Sequence, residues 1–425
     1  MTAAVYFGLP VLLLVLGVPI FAILLMVSLA GLAMNAELPL HSVQTVVFGS
    51  LDSFPLLAIP LFILAGDIMG TGGLARRLIN WVMSIVGGIR GSLGLTVVGS
   101  STLFGAMSGS SVGCIAAVGR TLYKPLNDAG YGAKFSGGVI AGTGAIDILI
   151  PPSIPMIIYG IAAQQSVPKL FIAGIVPGLL MAVVAAVYVL WYARRNRIPM
   201  TEKPTMAKVV VSTKEAMWSL AAPVFIIGGI YGGIFTPTEA AGVAVVYAAL
   251  VSRYIYREMS WKDLWATTCR SMFLMTQILI IVAAAGLYSW LVTTTGIPQM
   301  LVKFLTDLQL PPWQLLLLFN ILLLVVGSFV EPPAAILILA PLFLPAVTAL
   351  GIDPIHFGII MTMNLAIGMF TPPFGLNIFA VNGLFKVPLP TLYRGVLPLL
   401  VLYIGVLMLV TYVPQISLAA LKLMG

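Results

Sequence analysis

Two proline pairs constrain this chain more than any other feature. Pro151 and Pro152 lie in GAIDILIPPSIPMIIYG, and Pro372 and Pro373 lie in GMFTPPFGLNIF, both inside stretches apolar enough to enter a bilayer. A proline offers no backbone N–H and clashes with the carbonyl one turn earlier, so neither stretch continues as one unbroken helix. In hydrocarbon an unpaired backbone group is costly. A break at membrane depth is therefore tolerated only where it is buried in protein or lines a cavity.

The remaining sequence fixes the solvent. The chain is 60% hydrophobic and 8% charged over 425 residues, with a mean hydropathy of +1.10. That balance excludes a soluble class and predicts an all-α polytopic membrane protein. Runs such as LFNILLLVVG and VLPLLVLYIGVLMLV are continuously apolar, unlike the alternating strands of a β-barrel. The first thirty residues lack a basic leader region and a small-residue cleavage site, and read as mature structure. Cys114 and Cys269 sit in apolar segments without metal spacing, so they read as small buried hydrophobes, with neither disulfide nor zinc. A net charge of +8 would suggest nucleic acid in a soluble protein. Here the basic residues fall between spans, so the expected partner is the lipid bilayer and no nucleic acid.

A basic connection, 194–216, divides the chain into halves 1–193 and 217–425. Shifting the sequence by about 221 positions lays Gly130 on Gly351, Gly137 on Gly358, Pro151 on Pro372 and Pro152 on Pro373. Each half then reads as two short spans split near Gly17/Pro19 or Thr236/Pro237, a third span, a hairpin, a broken span and a final span. The hairpins are expected at 91–125, with its tip at SGSS, and at 311–349, with its tip at FVEPP. The broken helices are expected at 137–165 and 357–385. Five crossings per half make the two repeats inverted, with re-entrant hairpins opening to opposite faces. Orientation can be read separately: with 194–216 cytoplasmic, all but Lys169, Lys303 and Lys422 of the 21 basic residues fall inside. Both termini are then periplasmic.

The breaks suggest chemistry. Carbonyls left without donors can bind a cation, and the bare N–H groups of each restarted half-helix can hold an anion such as a carboxylate. Paired interruptions in corresponding places point to a transporter's central site. The tips add Ser108, Ser110 and Ser111 on one side and Ser328 and Glu331 on the other. Of four acids in or beside spans, Asp67 and Glu239 stand near span ends and read as structural. Asp147 and Glu331 lie beside helix breaks and are the functional candidates. GSSVG matches the G-x-S-x-G elbow of serine hydrolases, but no strand precedes it, and His41 and His356 are expected in extracellular-side loops. No catalytic residue is assigned, and the chain is not expected to be an enzyme. Without a P-loop, an H-E-x-x-H or a cysteine cluster, neither ATP nor a transition metal is expected. Energy must come from an ion gradient or an external partner.

These residues resemble a family. LDSFPLLAIPLFILAGDIM, GAMSGSSV, PPSIPMIIYG, GGIYGGIFTPTEAA, EPPAAILILAPLFLP and GMFTPPFGLNIFAVNG together are similar to the large membrane subunit of tripartite ATP-independent periplasmic (TRAP) transporters, the DctM-like permeases. The resemblance implies an elevator-type importer in the bacterial inner membrane, driven by sodium. Its substrate would be a small organic acid, such as a C4-dicarboxylate, a sialic acid or another sugar acid. It also implies two partners, a small membrane subunit and a periplasmic substrate-binding protein. A standalone sodium/carboxylate symporter of similar architecture is the alternative. Two sodium sites are implied, one using Gly105 and Ser108 with Asp147, Ile150 and Pro152, the other Gly327 with Gly368, Thr371 and Phe374. Substrate would lie near Ser110, Ser111, Ser153, Pro332, Pro333 and Asn377. One departure is visible: the family often carries serine and glycine where this chain has Gly105 and Asp147.

Overall fold

The structure is a computed structural model that describes residues 6, 8–34, 41–307 and 309–422. Among these the chain is helical, without strands. The first half runs α1 (Leu9–Val15), α2 (Ile20–Met34), α3 (His41–Leu51), a 3₁₀ turn (Phe54–Leu57), α4 (Ala58–Thr71), α5 (Leu74–Val86), α6 (Ser92–Ser108), α7 (Ser111–Asp128), α8 (Gly132–Leu149), α9 (Ile154–Ala162) and α10 (Val167–Arg195). The second runs α11 (Met206–Tyr231), α12 (Pro237–Leu250), a π turn (Val251–Ile255), α13 (Trp261–Thr294), α14 (Ile297–Asp307), α15 (Pro312–Phe329), α16 (Pro332–Ala349), α17 (Pro354–Gly368), α18 (Leu376–Phe385), α19 (Leu389–Tyr412) and α20 (Gln415–Lys422).

Eight helices among the described residues are long and apolar enough to cross a membrane, or nine if α8 and α9, bent by 43° at their break, count as one. Gly17, at a φ of +77°, and Pro19 separate α1 from α2, which have 7 and 15 residues. Thr236 ends the gap after α11 by capping α12. Its hydroxyl accepts from Glu239 N, and the Glu239 carboxylate accepts from Thr236 N at 2.8 Å. This reciprocal box satisfies two donors that a helix start leaves bare. The same device starts α13 at Ser260 and Asp263. Part of 194–216 is helical, since α10 reaches Arg195 and α11 begins at Met206.

The helices pack in two interlocked groups, joined where α13 meets α16 and α5 meets α6. α4 lies on α12, α11 on α5, and α13 on α2 and α3. In the other group α8 contacts α6, α7 and α19, α17 contacts α15, and each hairpin touches the opposite half: α7 meets α18 and α16 meets α9. Small residues make the closest approaches possible. A Cβ on Gly138 would lie 2.9 Å from the Cα of Gly395, so α8 and α19 meet backbone to backbone.

Three expectations are corrected. His356 is not in a loop: it occupies the first turn of α17, is 2% exposed, and pairs through Nδ1 with Ser417 Oγ at 2.6 Å and through Nε2 with Thr411 O at 3.3 Å. Pro354 at the helix start and the Asp353 cap pull this turn into α17. His41 likewise opens α3. Cys269 is exposed rather than buried, because the N-terminal half of α13 stands away from its neighbours. Two amphipathic helices, α5 and α14, lead into the helical pairs α6/α7 and α15/α16 and were not foreseen. Arg76 and Arg77 of α5 both pair with Glu258, and the Arg77 guanidinium lies 3.7 Å from the centre of the Tyr256 ring.

Candidate functional site

α8 ends where its sequence requires. Pro151 and Pro152 supply no N–H to the carbonyls of Asp147 and Ile148, and the last helical bond runs from Ile150 N to Ile146 O at 3.1 Å. Ile150 turns extended, and α9 restarts at Ile154 with Ser153 Oγ accepting from Met156 N at 3.4 Å. The tip of α6/α7 rests on this break. Gly109 has a φ of +59°, and a Cβ there would collide with the carbonyl oxygen of Pro152, so only glycine fits. One turn earlier, a Cβ on Gly105 would lie 2.9 Å from both Cα and Oδ1 of Asp147.

Four of the residues expected at the first cation site, Gly105, Ser108, Asp147 and Pro152, thus lie between the α6/α7 tip and the α8 break, with Ile150 in the break itself. Ser108 Oγ donates to Asp147 Oδ1 at 3.5 Å and accepts from Ser110 N at 3.2 Å. Asp147 is fully buried and its Oδ2 has no hydrogen-bond partner. A buried carboxylate oxygen without a donor is costly, and a cation beside it would remove much of that cost. The donor set is all oxygen: a carboxylate, a hydroxyl and freed carbonyls. Such a set suits a hard cation.

The second break is longer, 369–375, and neutral. A Cβ on Gly368 would lie 2.6 Å from Gly327 Cα, so α15 and α17 touch through their backbones at the expected position. Thr371 N donates to Gly368 O at 2.9 Å, and Thr371 Oγ1 to Ile367 O at 2.8 Å. Gly375 N donates to Ser328 O at 3.1 Å, tying the break to the α15/α16 tip. Phe374 has a 52% exposed side chain and lies with its ring 5.1 Å from that of Phe329. Glu331 precedes α16 without capping it and is exposed, so this acid is not buried at the break.

Between the breaks, Asn377 is fully buried. It accepts from Ser111 Oγ at 2.9 Å and donates to Ala141 O at 3.1 Å, joining α7, α8 and α18. Two expected substrate groups therefore already satisfy each other. Ser110 caps α7, accepting from Gly113 N, and Ser153 caps α9. Pro332 is buried and Pro333 partly exposed in the first turn of α16.

Sequence reasoning missed a buried chain of amides. Asn364, one turn before Gly368, donates to Asn320 Oδ1 at 2.6 Å, and Asn320 donates to Thr411 Oγ1 at 3.1 Å. His356 and Ser417 continue it through Thr411. The signal was available: Asn320 and Asn364 are isolated amides in apolar runs, which membrane interiors rarely tolerate without a task.

Comparisons place this geometry among known proteins. Residues 7–416 match the family described as tripartite ATP-independent periplasmic transporter, DctM component. The chain is 43% identical, over 91% of its length and 90% of the relative, to the C4-dicarboxylate TRAP transporter large permease protein DctM of Pseudomonas aeruginosa. It is 37% identical to the sialic acid TRAP transporter large permease protein SiaM of Vibrio cholerae, covering 95% of this chain and 94% of that one. It is 39% identical to the isethionate TRAP transporter permease protein DctMQ of Oleidesulfovibrio alaskensis, where it covers 97% of this chain but 65% of the relative. Among solved structures, the Alcanivorax borkumensis YdaH transporter, reported to have an unusual topology, shares the fold. The TM-score is 0.68 at 16% identity, over 96% of this chain and 98% of that one.

Proposed function

Because the chain belongs to the DctM component family of tripartite ATP-independent periplasmic transporters, as a large permease, we propose that it imports a small organic acid into the cell by coupling to sodium. One observation carries the coupling. In each half a tip glycine, Gly105 or Gly327, is pressed against the end of a broken helix, at Asp147 or Gly368, where freed carbonyls collect. In the first of these Asp147 Oδ2 is buried without a partner. We assign one sodium ion to Gly105, Ser108, Asp147, Ile150 and Pro152 and a second to Gly327, Gly368, Thr371 and Phe374.

The substrate carboxylate is drawn to the N-terminal ends of the restarted helices α9 and α18, near Ser110, Ser111, Ser153, Pro332, Pro333 and Asn377. The two halves act as inverted repeats. The group built from the hairpins and broken helices moves against α4, α11, α12 and α13 as an elevator, in the bacterial inner membrane with both termini periplasmic. The family name is tripartite, so a small membrane subunit and a periplasmic binding protein complete the system. The binding protein does most of the substrate selection.

The test is uptake in proteoliposomes holding both membrane subunits, with substrate-loaded binding protein outside. Uptake should follow an inward sodium gradient and collapse when potassium replaces sodium. Undiminished uptake without sodium would end the coupling assignment, and uptake without a binding protein would favour a standalone symporter.

A further inference from the structure

Each break is preceded by a buried polar bond between the hairpin arm and the broken helix, made by residues outside those assigned to the ions. In the first half Ser101 of α6 donates to Thr143 Oγ1 of α8 at 3.2 Å. Ser101 stands four residues before Gly105, and Thr143 four before Asp147. In the second half Asn364 of α17, four residues before Gly368, donates to Asn320 Oδ1 of α15 at 2.6 Å, and Asn320 stands seven before Gly327. The shift of 221 positions that lays Pro151 on Pro372 also lays Thr143 on Asn364. The residue types differ between the halves, yet the bond is present in both, and all four side chains are at most 1% exposed.

The contacts at the tips run through glycine, Gly105 on Asp147 and Gly327 on Gly368. Glycine lets two backbones come close, but it has no side chain to stop one helix sliding or rolling on the other. A side-chain hydrogen bond is directional and holds over only a few tenths of an ångström. Placed about 6 Å along the helix from the break, at 1.5 Å per residue, it fixes depth and rotation together. A cage of oxygens for a cation needs that precision, and groups that never touch the ion commonly supply it. The two bonds are anchored differently. Thr143 Oγ1 bonds back to Ile140 O of its own helix at 3.3 Å, whereas Asn320 goes on to Thr411 Oγ1 of α19 at 3.1 Å, so the second pair ties three helices.

We propose that Ser101 with Thr143, and Asn320 with Asn364, are positioning pairs that set sodium affinity. Each holds a hairpin arm at the depth and rotation where its tip closes a cation site on the neighbouring break. The inference rests on the sodium reading of those breaks.

The test uses the complex of both membrane subunits, with binding of radioactive sodium to the purified complex and uptake in proteoliposomes read side by side. Thr143→Val, which removes the hydroxyl at constant shape, should weaken sodium binding about threefold and Asn364→Leu about tenfold, the range of one interhelical hydrogen bond. Thr143→Ser, which keeps the hydroxyl, should restore it. The substrate concentration for half-maximal uptake at saturating sodium should stay within about twofold throughout. Double variants separate positioning from folding. Ser101→Ala with Thr143→Val, and Asn320→Leu with Asn364→Leu, leave neither member of a pair buried without its partner. Their melting temperatures without sodium should recover relative to the single variants, while sodium binding stays weak. Ser28→Ala, which removes a buried hydroxyl bonded to Leu24 O of its own helix at 2.7 Å, is the control and should leave sodium binding unchanged. A double variant that regains sodium affinity along with stability, or an equal loss of affinity in Ser28→Ala, would make the pairs structural only and overturn the proposal. Sodium binding in the parent that no pair variant alters would remove the positioning role alone. A parent complex that binds no sodium would remove the coupling reading, and this proposal with it.

Discussion

Gly327 and Gly368 meet through their backbones: a methyl on Gly368 would lie 2.6 Å from Gly327 Cα, and one on Gly327 would lie 3.3 Å from Gly368 Cα. Neither neighbour is a side chain that can swing away, so any substitution must part α15 from α17. Gly368→Ala should therefore cost about 1–3 kcal/mol of stability and raise the sodium concentration needed for uptake. Gly383→Ala in α18, where nothing lies within 4 Å, is the control. It should be neutral or slightly stabilising. Equal melting temperatures for the two variants would show that the backbones are not in contact.

At the first break the decisive residue is Asp147. Asp147→Asn keeps the shape and removes the charge, and it should weaken sodium dependence more than substrate binding. Asp147→Gly, which reproduces Gly368 at the corresponding position of the other half, should be tolerated better. Uptake measured against sodium concentration separates these outcomes, and an unchanged curve in Asp147→Asn would make the aspartate a structural residue.

Ser111 and Asn377 should behave as a pair. Asn377→Leu leaves Ser111 Oγ and Ala141 O buried without partners and should cost about 1–3 kcal/mol. Ser111→Ala should cost less. In a thermal-unfolding double-mutant cycle the two losses should be non-additive. Strict additivity would mean that the hydroxyl and the amide do not bond.

Glu239 offers the opposite test of an intramembrane acid. Its carboxylate is occupied by Thr236 N and Thr236 Oγ1, both at 2.8 Å. Glu239→Ala should lower the melting temperature modestly while leaving sodium dependence intact. A shifted sodium curve would reassign this residue from helix capping to transport.

The parts legible in the sequence were those with hard steric rules behind them. A proline pair past the first turn breaks a helix, so the ends of α8 and α17 and the restarts at α9 and α18 followed from Pro151, Pro152, Pro372 and Pro373. Gly105, Gly327 and Gly368 were named only through the family resemblance, and their reason is structural: backbone lies too close to each for a Cβ. What escaped depends on which face of a helix meets what. Cys114 and Cys269 both lie in helices of apolar stretches, yet Cys114 is buried and Cys269, between Thr268 and Arg270, is exposed. Glu331 sits beside a break just as Asp147 does, but at the start of a helix rather than near its buried end. The chain from Asn364 through Asn320 and Thr411 to His356 joins residues far apart in sequence, which no local pattern connects. α5 and α14 were overlooked because amphipathic helices are less apolar than spans.

The contact between Ser111 and Asn377 spans 266 residues of chain. Nearby, Phe385 stacks on Tyr123 with ring centres 4.5 Å apart, so the first hairpin rests on a helix made almost last. A ribosome adding about 5–20 residues per second needs roughly 13–50 s to supply that helix. Throughout that interval Ser111 and the aromatic face of α7 lack their final partners. The nascent chain must be kept from wrong associations in the membrane until translation nears its end, and a stall late in the message would strand an otherwise complete first half.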